Sequence, residues 1–136
     1  MSVPLGFEPD PRSSPLLELL GPVHQRTDGP GKLTLGVRID ERHLNARGTA
    51  HGAVLTAMGD VALGRSAALL NDLPMGLVTV TLTTHFLRPV PAGSWLEVTA
   101  TLMRPARSVV FAQGEGSIDG VAVAIFDAVF RKPRSA

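Results

Sequence analysis

The sequence predicts an α+β fold in which an antiparallel β-sheet wraps around one long central helix. Residues 32–39 alternate apolar and polar side chains, which is the pattern of a half-buried strand. Residues 51–70 instead repeat apolar side chains at helical spacing, and a helix of that length is about 30 Å long. Four more alternating runs follow, separated by short turns, and this arrangement favours antiparallel pairing.

Local signals support each element in turn. Ser14 and Gly21 fit the cap and the stop of a short helix over 14–20. A polar loop over 40–49 leads into the long helix, which the segment 71–76 ends. The first strand, at 32–39, and four later ones make a sheet of five strands. The later strands are expected at 77–87, 95–103, 108–118 and 121–130, the last two joined by an Asp119-Gly120 hairpin turn.

Composition limits the classes of function. The chain has 136 residues, of which 44% are apolar and 18% charged, and this fits one globular domain. Six of the eleven prolines lie within residues 1–30, so we expect an N-terminal arm there, carrying the short helix, and the folded domain over 31–136. The formal net charge of +1 gives no electrostatic case for nucleic acid or an anionic membrane as a partner.

Further classes are excluded by what the sequence lacks. There is no cysteine, which excludes disulfides, thiolate nucleophiles and cysteine-ligated metals. The histidines have no metal-ligand spacing, and no glycine-rich phosphate loop occurs. The first residues do not resemble a secretory signal, and no uninterrupted apolar run reaches the ~18 residues of a membrane helix. We therefore expect a cytoplasmic protein.

Two elements are more apolar than one chain requires. The long helix has only Asp60 and Arg65 as charged side chains, so it is expected to be buried on most sides. The last strand is apolar on both faces, as Ile125 and Phe126 illustrate. One face can pack on the helix, while the other needs a second cover, most simply another subunit. We therefore expect a homo-oligomer.

Asp60 is the first candidate for chemistry, since it stands in the middle of an apolar helix. Burying a carboxylate is costly unless it is paired or its pKa rises. Two interpretations remain open. The carboxylate is either a structural partner of Arg65 or of a backbone amide, or it is a general base or nucleophile in a cleft.

His51 and Gly52 lie where the polar loop becomes the long helix. The first N–H groups of a helix lack internal acceptors and a glycine lets a ligand approach, so the Gly52 N–H is a candidate oxyanion donor. His51 equally fits a simple helix cap. Asn45, six residues earlier, fits an ordinary loop-fixing amide. Thr79 fits a plain β-former, because strict alternation groups it with neighbouring threonines opposite the Val and Leu side chains of its strand.

Taken together, these residues form the pattern Asn45-x2-Gly48-x2-His51-Gly52-x7-Asp60 within HLNARGTAHGAVLTAMGDVALG. This pattern resembles the hotdog-fold acyl-CoA thioesterase superfamily, in its phenylacetyl-CoA thioesterase-like (PaaI-like) branch. The downstream stretches VTVTLTTHFLRPVPAGSWLEVTA and GVAVAIFDAVF are similar to the family's later strands, so the resemblance covers about residues 31–131. Ala53 stands where the family usually has a second glycine.

The resemblance implies a hotdog fold and hydrolysis of an acyl-CoA thioester without a cofactor, at a site shared between subunits of a dimer or a dimer of dimers. Asp60 of one chain would act as general base or nucleophile, and Gly52 of the other would bind the carbonyl oxygen. Asn45 would position the water or the carboxylate, Thr79 would hold the water, and His51 would orient the loop.

The sequence leaves three points open. A non-catalytic acyl-CoA-binding module and a hotdog hydratase or dehydratase are alternatives to the thioesterase. The CoA phosphates have no assigned site. Basic residues near the expected strand ends either bind them or simply face solvent: Arg88, Arg104, Arg107, Arg131 and Lys132.

Overall fold

The fold is a single antiparallel sheet curved around one long helix, seen in a computed structural model that describes residues 2–72 and 76–134. The helices are α1 (Pro15–Leu20) and α2 (Gly52–Leu70). The seven strands lie in the order β1-β2-β3-β5-β6-β7-β4 across the sheet. They are β1 (Glu8–Pro9), β2 (Val23–Gly29), β3 (Lys32–Arg38), β4 (Val78–Phe86), β5 (Trp95–Pro105), β6 (Val109–Ile118) and β7 (Val121–Arg131).

The fold class and the two helices predicted from the sequence are confirmed, whereas the count of five strands is wrong. The two additional strands, β1 and β2, lie in the segment that the sequence analysis assigned to an arm, and β2 pairs with β3 in the sheet. Ser14 caps α1 as predicted, accepting a hydrogen bond from the Leu17 N–H at 3.3 Å. Of the segment expected to end the long helix, residues 73–75 lie outside the described part of the chain.

Helix α2 forms the centre of the core. Its buried residues include Met58, Ala62 and Leu63, and they pack against the concave face of the sheet. By length and composition alone α2 matches a membrane-spanning helix, but 56% of its most apolar window is buried inside this fold. The apolar character of α2 is therefore explained by its position within the sheet, as the sequence pattern predicted.

Two glycines let α2 lie close to strand β7. An added Cβ at Gly59 would come within 2.5 Å of the Phe126 ring, and one at Gly64 would lie 3.3 Å from the Phe130 ring. Both phenylalanines are fully buried. These two glycines thus set the distance between α2 and β7. That distance in turn sets how far Asp60 lies from β4, the strand next to β7.

Strand β4 departs from the alternation that its sequence predicts. Thr79 pairs with Phe130, but the register then shifts by one residue, and Leu82 pairs with Ala128. Directly opposed residues of an antiparallel pair share a face, so Thr79 and Leu82 both face α2, and Val80 is the bulged residue between them. The expectation that Thr79 and Leu82 lie on opposite faces is therefore wrong.

Candidate active site

Asp60 and Thr79 are joined by a hydrogen bond between helix α2 and strand β4. The Thr79 hydroxyl donates to Asp60 Oδ1 at 2.6 Å. Asp60 is half-buried and Thr79 is exposed in the single chain, so the carboxylate is not sealed in the core. A carboxylate with one neutral donor and access to solvent is free to accept a proton from water.

Arg65, the structural partner that the sequence offered for Asp60, pairs elsewhere. Its Nη1 lies 2.6 Å from Asp10 Oδ1, and both side chains are at most 9% exposed. Arg65 Nη2 also donates to the backbone carbonyl of Arg12. The interpretation of Asp60 as the ion-pair partner of Arg65 is therefore wrong, and within the described residues the Asp60 side chain bonds to Thr79.

His51 caps helix α2, as the simpler interpretation of this residue predicted. Its Nδ1 accepts a hydrogen bond from the Ala53 N–H at 2.9 Å. The His51 N–H donates to the His43 carbonyl at 2.7 Å, which fixes the entry of the chain into the helix. Ala53, the departure from the family pattern, thus uses its N–H within the cap.

The Gly52 N–H is the next donor at this helix end. Helix geometry leaves it without an intrahelical acceptor, and none is found for it elsewhere in the described part of the chain. Gly52 packs against Phe86 of β4, because a Cβ at this position would lie 2.9 Å from the ring. Gly52 and Phe86 line the same cavity, so the start of the helix dipole lies at that cavity.

Asn45 organises the loop before the helix. Its Oδ1 accepts from the N–H groups of Arg47 at 2.9 Å and Thr49 at 3.2 Å, while its Nδ2 donates to Thr49 Oγ1 at 3.1 Å. The loop-fixing interpretation of Asn45 accounts for its hydrogen bonds to Arg47 and Thr49.

Just upstream of this loop, hydrogen bonds from Arg42 lower the pKa of the Asp40 carboxyl. Asp40 caps a turn of 3-10 helix over Glu41–His43.

The five candidate residues divide between two separate places in one chain. Asn45 and Gly52 line a cavity of about 610 Å³, with His51 exposed at its helix end. Asp60 and Thr79 line another cavity, of about 300 Å³. Gly52 and Asp60 are eight residues apart, which is about 12 Å along a helix. A single chain therefore does not bring the carboxylate to the Gly52 donor.

Several lining residues were not singled out as site residues from the sequence. The larger cavity is also bounded by Arg47, Phe86 and Arg88, of which only Arg88 had a signal, as a basic residue near a strand end. The smaller cavity is walled by α1 and the chain before it, including Arg12 and Leu17. No sequence pattern connected this segment with Asp60. Within residues 2–72 and 76–134 no group of three His, Asp or Glu side chains is placed to hold a metal ion.

Comparison with known proteins assigns the family. The model of the thioesterase superfamily matches residues 47–125, which include His51, Gly52, Asp60 and Thr79. "Putative esterase PA0474" of Pseudomonas aeruginosa is 41% identical over 133 residues, covering 98% of this chain and 99% of that protein. The human protein "Acyl-coenzyme A thioesterase 13" is 25% identical over 93 residues, covering 68% of this chain and 66% of its own length.

Solved structures agree with this assignment. The phenylacetic acid degradation protein PaaI of Thermus thermophilus, in a mutant form, is 26% identical with a TM-score of 0.75. That match covers 88% of this chain and 100% of the solved one. Since the family match spans more than half of the sequence and the fold agrees, the chain belongs to the thioesterase superfamily and is a hotdog-fold thioester hydrolase of PaaI-like type.

Proposed function

We propose that this protein hydrolyses an acyl-CoA thioester to the carboxylic acid and free CoA, at a site that two subunits share. Asp60 of one subunit acts on a thioester carbonyl held by the partner subunit's Gly52. The observation that carries this proposal is the layout of strand β4. One end of β4 carries Thr79, which binds Asp60, and the other end carries Phe86, which packs on Gly52.

Strand β4 is an outer strand of the sheet with an edge fit for pairing. Seven of its nine residues are exposed, among them Val78 and Val80, which are 50% and 57% exposed. Solvent-facing edges of soluble proteins are usually blunted by Lys or Pro, and β4 contains neither. An unprotected apolar edge of this length favours pairing with another strand, most simply β4 of a second copy.

Antiparallel pairing of β4 with its own copy brings the two halves of the site together. A two-fold axis across the strand places the Thr79 end of one subunit beside the Phe86 end of the other. The same axis makes the two α2 helices antiparallel, so Asp60 moves toward the partner subunit's Gly52. Because Asp60 and Gly52 then come from different subunits, the distance of about 12 Å between them within one helix does not keep them from acting on the same carbonyl.

The chemistry follows from these groups. Water attacks the thioester carbonyl carbon while Asp60 takes its proton, and negative charge develops on the carbonyl oxygen. The Gly52 N–H at the helix start stabilises that charge, and one such donor is typically worth about 3–4 kcal/mol. The C–S bond then breaks and the proton passes to the CoA sulfur. In the variant of this scheme where Asp60 attacks the carbonyl itself, water hydrolyses the resulting anhydride.

Charge distinguishes the two ends of the substrate. The cavity beside Gly52 is flanked by Arg47 and Arg88, and their guanidinium groups suit the anionic nucleotide half of CoA. The cavity beside Asp60 is lined on several sides by apolar side chains, among them Leu17, Leu77 and Phe130, and suits the acyl group. The carbonyl lies between these regions, where Asp60 and the partner subunit's Gly52 converge.

Thiol release from a panel of acyl-CoAs tests the function. We expect the wild type to release thiol and Asp60→Asn to be slower by about a hundredfold or more. Asp127→Asn is the matched control, because Asp127 also accepts one hydrogen bond from a neutral donor, Gln113, at 2.7 Å on the sheet. Equal turnover by Asp60→Asn and wild type would refute the role of Asp60. Bound acyl-CoA without thiol release would identify a binding module.

Subunit mixing tests the shared site. Asp60→Asn and Asn45→Ala proteins, each inactive alone, are unfolded together in equal amounts and refolded. If each site takes the two residues from different subunits, half of the dimers carry one intact site and about a quarter of the wild-type activity returns. If both residues act within one chain, no mixture contains an intact site. Absence of recovery after demonstrated exchange would refute the shared arrangement.

A further inference from the structure

The segment before α1 is fastened to helix α2 by a buried ion pair. Arg65 binds the Asp10 carboxylate at 2.6 Å and also donates to the Arg12 carbonyl, so a single guanidinium holds two points of the segment. The side chains of Arg65 and Asp10 are 9% and 4% exposed. The sequence gives no hint of this pairing, since the two residues are 55 positions apart.

Arg65 lies between two cavities. On one side lies the cavity of about 300 Å³ that contains Asp60. On the other lies a cavity of about 460 Å³ whose lining includes Gln25, Thr27 and Leu33. The two cavities have three lining residues in common, namely Arg12, Arg65 and Ala68. These three residues therefore form the partition between the cavities.

The helix surface itself offers a continuous path. Asp60, Gly64 and Ala68 follow one another at intervals of four residues, so they lie on one face of α2 and span about 12 Å. Gly64 and Ala68, which follow Asp60 on this face, are small residues. A chain that starts at the Asp60 carboxylate can thus run along α2 until it meets Arg65 and Arg12.

We propose that Arg65, held in place by Asp10, limits the length of the acyl group, because it stands between the Asp60 cavity and the second cavity. This proposal rests on the proposed function, which places the acyl group in that cavity. With about 300 Å³, the Asp60 cavity has about twice the volume of one that holds a benzene ring, so it suits an aryl or medium-length acyl group. A longer chain stays buried only if it continues into the second cavity, and the partition separates that cavity from Asp60.

Removal of the partition tests the proposal. The double variant Asp10→Ala/Arg65→Ala removes the long Arg65 side chain from the partition, and the change at Asp10 avoids leaving a buried charge unpaired. We expect kcat/KM for palmitoyl-CoA relative to hexanoyl-CoA to rise by at least roughly tenfold, since each further buried methylene adds about fourfold. A ratio within about twofold of the wild type would overturn the proposal.

A volume-matched variant separates blockage from charge. Asp10→Leu/Arg65→Met keeps the bulk of the partition without its charges. Replacing Asp10 by leucine also removes its Oδ2 atom, which is buried without a hydrogen-bond partner among the described residues. We expect the chain-length ratio to stay low in this variant. A rise equal to that of the alanine variant would contradict closure by bulk.

A remote control and a second readout complete the experiment. Arg26→Ala/Asp28→Ala removes an ion pair of strand β2 that lines neither cavity, and its ratio should match the wild type. Equilibrium binding of palmitoyl-CoA and hexanoyl-CoA to the same set of variants requires no turnover. If wild type hydrolyses no thioester, the proposed function fails, while the binding ratio still decides for or against the partition.

Discussion

Replacing Gly59 by alanine should force helix α2 away from strand β7. The new methyl group would lie 2.5 Å from two ring carbons of Phe126 and 2.9 Å from a third, where ordinary contact begins at 3.4 Å. The Phe126 ring is 0% exposed, so it has no free space into which to turn. Either the ring or the helix must therefore move by roughly 1 Å.

The size of the effect can be worked out from two opposing terms. Over-packing a filled core costs about 1–3 kcal/mol, and a ring without free space belongs in the upper part of that range. Alanine in a helix interior recovers about 1 kcal/mol relative to glycine. The net loss is then about 1–2 kcal/mol, and for a chain of this size the thermal midpoint falls by about 5 °C.

Gly64→Ala is the matched control on the same helix. Its methyl group would lie 3.3 Å from the Phe130 ring, which needs to yield by only a few tenths of an ångström. The helix-propensity gain then dominates, and the stability should be equal to or higher than that of the wild type. Calorimetry on both variants measures the difference. A midpoint for Gly59→Ala at or above that of Gly64→Ala would refute the packing argument.

Two further predictions concern hydrogen bonds to the carboxylates of Asp60 and Asp28. Thr79→Ala should lower kcat by roughly tenfold, because the Asp60 carboxylate loses the hydroxyl that donates to it at 2.6 Å. Thr79→Ser keeps a hydroxyl at this position and should restore kcat. Equal rates in the two variants would contradict a role of this hydrogen bond. Burial raises the pKa of the Asp28 carboxyl, but hydrogen bonds from Arg26 and Thr34 together lower it below its ordinary 3.8. Asp28 therefore stabilises the fold above that value, and the stabilisation is lost as the pH falls through the lowered pKa. Asp28→Asn should lower the urea midpoint at about pH 7 and much less at about pH 2; an equal loss at both would exclude ionisation as the cause.

The sequence predicted helix α2 and the strands from β3 onward because each carries apolar residues at regular spacing, although those of β4 are largely exposed in the single chain. Strand β2 was missed because its environment requires no such spacing of apolar residues. Its inward residues Gln25 and Thr27 line a cavity, and its outward residue Arg26 is engaged with Asp28 and Glu97. Periodicity of apolar residues detects burial, and a strand that lines an open space carries no such periodicity.

The site residues were found by their spacing, while their partners were not. Asn45, His51, Gly52 and Asp60 are local to one loop and one helix, where sequence separation translates directly into position. The partner of Arg65 lies in the N-terminal segment, and an ion pair between residues so far apart has no local pattern. The exclusion of Arg65 as the partner of Asp60 depended on that pair and so required the structure.

Thr79 illustrates a second limit, which concerns geometry within one element. The stretch from Val78 to Thr83 alternates apolar and polar residues without a break, so a regular strand would place Thr79 opposite to Leu82. The bulge at Val80 adds one residue to β4 and turns Thr79 toward α2, within 2.6 Å of Asp60. A regular β4 that kept Leu82 in the core would point the Thr79 hydroxyl away from the carboxylate. The bulge therefore costs one ladder position at the sheet edge and supplies the hydrogen bond that holds Asp60.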